Sequence, residues 1–119
     1  MSVNYKDLKV WEKSVDLVLE CYRVSGSFPK HETYGLTAQL RRSAVSIPAN
    51  IAEGNSRESR KEYIRYITIA YSSLAELETH LVIGKRLNYL ELHSYERIQE
   101  RTEEIGRMLN GLRNSLATS

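Results

Sequence analysis

Six basic residues fall between positions 41 and 65: Arg41, Arg42, Arg57, Arg60, Lys61 and Arg65. Against Glu53, Glu58 and Glu62 they leave a local charge of +3, more than the +2 of the whole chain. Clustered guanidinium and ammonium groups are what neutralises a phosphate backbone. Solvated charges flanking a loop give the same pattern, and at this level the two readings stand equal. Gly54-Asn55-Ser56 marks a turn inside the cluster, so the end of one element and the start of the next are placed to share one basic edge. Arg41 and Arg42 lie away from that turn, and Glu78 is an alternative partner for one of them. Arg57, Arg60, Lys61 and Arg65 are therefore the stronger candidates for phosphate contact.

Other chemistry-bearing residues give weaker patterns. His31, His80 and His93 have no companion at metal-ligand spacing, so no metal site or cofactor is expected. Glu53 belongs to the second predicted helix and Glu76 and Glu78 to the third, and a two-metal carboxylate bundle would also need Glu-x-x-His on two helices. Gly106 and Gly111 are spaced as in a phosphate-binding loop, but Leu112 and Arg113 stand where Lys and Ser or Thr are required. Arg86 and His93 resemble the Arg-x(4–6)-His motif of HEPN-type ribonucleases. A predicted helix stop at Asn88-Tyr89 separates them, which makes a ribonuclease a remote alternative. A non-enzymatic protein is the expectation.

These residues are carried by 119 residues of ordinary composition: 17 Lys+Arg, 15 Asp+Glu, two Pro, six Gly, one Cys and 41% apolar side chains. That describes one domain, 1–119, with a core of its own. The lone Cys21 has no disulfide partner, which suits a reducing compartment. Lys6, Asp7, Lys9, Glu12 and Lys13 exclude an apolar leader core at the start of the sequence, and the apolar run Tyr66–Tyr71 is far below the roughly 20 residues of a membrane span. A cytoplasmic protein with no membrane contact is expected.

The apolar residues recur with a period near 3.5, and no stretch alternates as a strand does. Four helices are predicted. The first runs from about Leu8 to Val24, with Asp7 as N-cap, Gly26 beyond its end, and Leu8, Trp11, Val15, Val18 and Tyr22 as its inner face. Lys9, Glu12, Lys13, Asp16, Glu20 and Arg23 form the opposite face. The second runs from about Thr33 to Glu53 on Leu36, Leu40, Ile47 and Ile51, with Gly54 as an αL C-cap. Pro48 falls inside it, where a proline removes one backbone hydrogen bond, so a kink or a break is expected there; the continuous apolar register favours the kink.

The third helix opens on the capping box Ser59/Glu62 and carries Tyr63, Ile67, Ala70, Leu74, Leu77 and Leu81 at heptad spacing to a stop at Asn88. Ile64, Tyr66, Ile69, Tyr71, Val82 and Ile83 lie off that seam. A helix this apolar is either central to its own core or pressed against another subunit; Tyr66 and Ile69 are the interface candidates for a homo-oligomer. The fourth helix repeats the heptad through Tyr95, Ile98, Thr102, Ile105, Leu109, Leu112 and Leu116. Asn50 and Glu78 are placed as partly buried, hydrogen-bonded structural polar groups. The whole reads as an all-α, antiparallel up-and-down four-helix bundle with a kinked second helix.

Three stretches carry a family resemblance: Leu8-Lys9-Val10-Trp11; the run Gly35-Leu36-Thr37-Ala38-Gln39-Leu40-Arg41-Arg42-Ser43-Ala44-Val45-Ser46-Ile47-Pro48-Ala49-Asn50-Ile51-Ala52-Glu53-Gly54; and Ser73-Leu74-Ala75-Glu76-Leu77-Glu78. They resemble the four-helix-bundle proteins encoded by intervening sequences in 23S ribosomal RNA genes. Tyr71-Ser72 departs from the pattern, since many members carry smaller residues there. The resemblance implies an antiparallel bundle assembling into a ring-like homopentamer, with no catalytic activity generally proposed. It also implies kinship with the accessory variability proteins of diversity-generating retroelements, whose basic pentamer binds nucleic acid and a reverse transcriptase. The function expected is that of an oligomeric RNA- or DNA-binding accessory protein. A structural or protein-interaction module without nucleic-acid affinity is the alternative.

Overall fold

The computed structural model describes residues 4–118. A short 3₁₀ turn, Tyr5–Asp7, precedes α1 (Lys9–Ser25), and a second, Lys30–Glu32, precedes α2 (Leu36–Asn55); α3 (Arg60–Arg86) and α4 (Leu92–Thr118) follow. Each helix packs against two neighbours in the cyclic order α1–α2–α3–α4, and the backbones of diagonal pairs stay apart. That is the up-and-down bundle. At about 1.5 Å per residue a 27-residue helix spans most of the 46 Å long axis.

The inner seams of α3 and α4 follow the predicted heptads, and α2 buries three of its four predicted inner residues, with Leu36 at the margin. Leu40, Ile47 and Ile51, then Ile67, Leu77 and Leu81, then Ile98, Ile105 and Leu109 are at most 2% exposed. Each such side chain contributes roughly 1.5–3 kcal/mol by leaving water. Thr102 lies fully buried in the α4 seam, where its hydroxyl donates to the Gln99 carbonyl at 2.9 Å.

In α1 the inner face is rotated by one residue from the predicted one. Val10, Ser14, Leu17, Cys21 and Val24 are buried, while Leu8, Trp11 and Val18 pack at the margin and Tyr22 is exposed. Two apolar stripes lie about 100° apart on this helix, and the inner one conceals a polar residue: the Ser14 hydroxyl donates to the Val10 carbonyl at 2.6 Å. Glu20, expected on the outer face, is 7% exposed. Asp7 does not cap α1. It ends the 3₁₀ turn, which Asn4 caps by accepting from the Lys6 amide at 2.9 Å, and the α1 N-cap position is held by extended Leu8.

Two predicted features of α2 are also corrected. It starts at Leu36 rather than Thr33, because Gly35 breaks from helical geometry and the Leu36 amide donates to the Glu32 carboxylate at 3.1 Å. Gly54 does not adopt αL; it lies inside the helix and is buried. A Cβ there would sit 2.7 Å from Tyr66 Cβ, so the glycine serves the close approach of α3. The helix runs unbroken through Pro48.

Local signals decide the ends of α3. The Ser59 hydroxyl accepts from the Glu62 amide at 2.9 Å. Asn88, at φ 64°, closes a Schellman turn in which the Tyr89 amide donates to the Gly84 carbonyl and the Asn88 amide to the Lys85 carbonyl. Tyr89 then packs on Phe28 and donates to Glu32 Oε2 at 3.0 Å. The Leu36 amide and the Tyr89 hydroxyl together hold the Glu32 carboxyl below its usual range.

Cys21 is fully buried, and burial first, then the nearby Glu20 charge, push its thiol up to about 12. The thiolate is the reactive form. Native protein is therefore expected to leave a maleimide or disulfide reagent unconsumed at neutral pH and to react fully once unfolded. Rapid stoichiometric labelling of folded protein would contradict this packing.

Candidate nucleic-acid interface

The turn between α2 and α3 is where the sequence concentrates its cations. Ser56 closes α2, its amide donating to Ala52 and Glu53 carbonyls and its hydroxyl to Glu53 at 2.7 Å. Ser59 opens α3 three residues later. Arg57, Arg60, Lys61 and Arg65 are thereby held in the turn and the first two turns of α3, and all four are exposed.

Tyr66 organises this edge. The Arg57 guanidinium lies over its ring at 5.0 Å and donates to its hydroxyl at 2.9 Å, and the Arg65 guanidinium lies over the ring at 4.8 Å. Such stacking orders the two guanidiniums and is worth about 0.5–1 kcal/mol each at an exposed site. Arg57 also pairs with Glu53, and Arg65 with Glu62 at 3.4 Å. Exposed pairs of this kind contribute about 0–1 kcal/mol, so phosphate oxygens compete with them on nearly even terms.

Arg60 and Lys61 occupy the first turn of α3. The positive end of the helix dipole favours anions at that position, each worth roughly 0.3–1 kcal/mol. Cations there oppose the helix's own preference, and the dipole adds to the positive potential they create.

The other two candidates lie elsewhere. Arg41 and Arg42 sit about 20 Å further along α2. Arg41 is occupied within the fold: Nε donates to Ser25 Oγ at 2.8 Å, a second nitrogen donates to the Tyr22 carbonyl at 3.4 Å, and the guanidinium covers the Tyr22 ring at 4.5 Å. It ties the end of α1 to α2 and does not pair with Glu78. Arg42 is exposed.

The two candidate structural polar residues, Asn50 and Glu78, differ in their surroundings. Asn50 is half-buried and donates to the Ser46 carbonyl at 2.8 Å and to Ser46 Oγ at 2.9 Å, and Ser46 Oγ shares a hydrogen bond with Ser73 Oγ at 2.8 Å. Asn50→Ala should cost about 1 kcal/mol and lower the melting temperature by about 4 °C. Ser73→Ala should add less in that background than alone, because the two share a network. Full additivity in a double-mutant cycle would refute the coupling. Glu78 is half-buried but accepts no hydrogen bond from any described residue. Ile69, like Tyr66, is half-buried.

Arg86 ends α3 and His93 lies in the first turn of α4, both exposed, with the Leu87–Glu91 turn between them. Among the described residues no three His, Cys, Asp or Glu side chains converge as a metal site, and no helix is long and apolar enough to cross a membrane. The sequence reading missed one charged cluster: Glu20 between Arg23 at 2.6 Å and Arg97 at 2.8 Å, joining α1 to α4. Arg23 was visible at i+3, but Arg97 comes from another helix and left no local signal.

An all-helical, antiparallel four-helix bundle with a basic α2–α3 edge is the class of protein these features define. The chain belongs to the family of 23S rRNA-intervening sequence proteins, whose profile matches residues 6–111. A crystal structure from Bacteroides thetaiotaomicron, of a protein of unknown function from the S23 ribosomal protein family, has the same fold. It is 27% identical with a TM-score of 0.79, and the match covers 87% of this chain and 97% of that one. A comparison with curated proteins gives no significant match.

Proposed function

We propose that this protein is a non-enzymatic, oligomeric accessory protein that binds RNA or DNA through the α2–α3 edge of each copy. The observation that carries the reading is the grouping of Arg57, Arg60, Lys61 and Arg65 around the positive end of α3, where the helix alone would favour acidic residues. Membership in a family named for an intervening sequence of 23S rRNA agrees with it. Assembly is supported by side chains that a monomer leaves partly in water: Val45 is 43% exposed, Tyr71 36% and Ile83 42%. A ring of copies, pentameric as the family resemblance implies, would multiply a modest edge, four cations against Glu53, Glu58 and Glu62, into a broad phosphate-binding surface.

Binding of RNA and duplex DNA should fall steeply with salt and show little sequence preference. Four phosphate contacts per copy correspond to a log–log slope of about −3.6 on duplex and −2.8 on single strands. Reversing Arg57, Arg60, Lys61 and Arg65 to Glu should abolish it. A parent that shows no binding in low salt, or a reversal that binds equally well, would shift the reading to a protein-interaction module.

A further inference from the structure

Arg42 and Glu78 each make no hydrogen bond, ion pair or ring contact with any described residue. They nevertheless stand at the same height in the bundle. The Ser46–Ser73 hydrogen bond fixes the antiparallel register of α2 and α3. Arg42, one turn before Ser46, is therefore level with Leu77 and Glu78, one turn after Ser73.

The two charges occupy different flanks. Arg42 lies on the outer strip of α2, where its neighbours at i−4, i+3 and i+7 are Ala38, Val45 and Ala49. Val45 and Ala49 are exposed and Ala38 is half-buried, so one cation stands in a small apolar strip. Glu78 opens toward α4 at the junction of two grooves of about 220 and 340 Å³. Leu81, Val82 and Tyr95 line the first, and Leu74, Ala75 and Gly106 help to line the second. Gln99 and Thr102 also line the first, and Glu103, Arg107 and Asn110 the second, and the half-buried Glu78 carboxylate pairs with none of them. A half-buried carboxylate without hydrogen-bond donors favours a cationic side chain that closes over it.

Resting on the oligomeric reading above, we propose that Arg42 on the α2 strip of one copy inserts into the α3–α4 groove of the next and pairs with its Glu78. A patch on one flank that matches a different patch on another flank makes a head-to-tail contact, and such contacts close into rings when the rotation allows. The strip supplies apolar cover, and the single charge pair fixes the register between copies.

Charge swapping tests this by sedimentation and light scattering, with far-UV circular dichroism confirming the fold. Arg42→Glu and Glu78→Lys should each raise the concentration of half-dissociation at least tenfold, about the 1.4 kcal/mol or more expected from removing one partner of a covered charge pair. The double variant Arg42→Glu/Glu78→Lys should recover the parent assembly. Separately, Arg42→Cys/Glu78→Cys should oxidise to a ladder of multiples of 13.7 kDa, whereas a disulfide closed within one copy would leave a single band at that mass and count against the contact. A monomeric parent would remove the oligomeric reading and this contact with it. An assembled parent whose size survives both reversals, or folded variants that the swap fails to rescue, would overturn this contact alone.

Discussion

Gly54→Ala is expected to destabilise the protein by about 1–2 kcal/mol, although alanine is the better helix former. Inside a helix the exchange ordinarily gains about 1 kcal/mol. At Gly54 the added methyl would lie 2.7 Å from Tyr66 Cβ, 3.1 Å from Tyr63 Cδ1 and 3.2 Å from the Tyr63 carbonyl oxygen. A side-chain root and a backbone oxygen cannot turn aside, so α2 and α3 must separate. Overpacking of this kind costs typically 1–3 kcal/mol, which outweighs the propensity gain, and Gly54→Leu should prevent folding at 37 °C. Gly111 supplies the control. It is exposed in α4 with nothing within 4 Å of its added Cβ, so Gly111→Ala should stabilise by about 0.5–1 kcal/mol. Thermal melts of the two variants should move in opposite directions; a rise for Gly54→Ala would show that the interface yields.

The Gly54 case shows what was legible in the sequence and what was not. Ser59 as N-cap and Asn88 as the stop of α3 were readable because a side-chain oxygen or an αL residue acts within three or four positions of itself. The heptads of α3 and α4 were readable because each has one dominant apolar seam. α1 has two, and only the neighbours select Val10, Leu17 and Cys21 over Leu8, Trp11 and Val18. Gly54 was recognised as special, but the tyrosines that require it come from the next helix.

At the basic edge, composition located the cations and could not distribute them. Arg41 and Arg42 are adjacent and equivalent in sequence. One turns to Ser25 and the Tyr22 ring, while the other points to solvent, because successive residues on a helix diverge by 100°. Tyr66, an interface candidate by its apolar spacing, is within one copy a platform for Arg57 and Arg65. The pairing of Arg57 with Tyr66, nine positions apart across a turn, is the part of the site that periodicity does not report.

The Glu20 cluster should respond asymmetrically to loss of its two sides. Glu20 is 8% exposed at its side chain, whereas Arg23 and Arg97 are 59% and 46% exposed. Glu20→Gln leaves two solvated cations and a neutral amide, at a cost of about 1–2 kcal/mol. Arg23→Ala/Arg97→Ala leaves a buried carboxylate without its hydrogen-bonded partners and should cost about 3–5 kcal/mol. Adding Glu20→Gln to that double variant should then restore stability. The pH dependence has a matching sign. Burial alone would raise the Glu20 carboxyl, but the Arg23 hydrogen bond and the charges of Arg23, Arg97 and Arg101 outweigh it and lower the group below its usual 4.5. In the parent the stabilisation is complete above pH 4.5 and fades as pH falls through the lowered value. In the double variant the remaining charge of Arg101 works against burial alone, and protonation relieves the unpaired carboxylate. The stability gap between parent and double variant should therefore narrow as pH drops from 7 to 4. A gap that stays constant across that range would show that the arginines act by packing and not by charge.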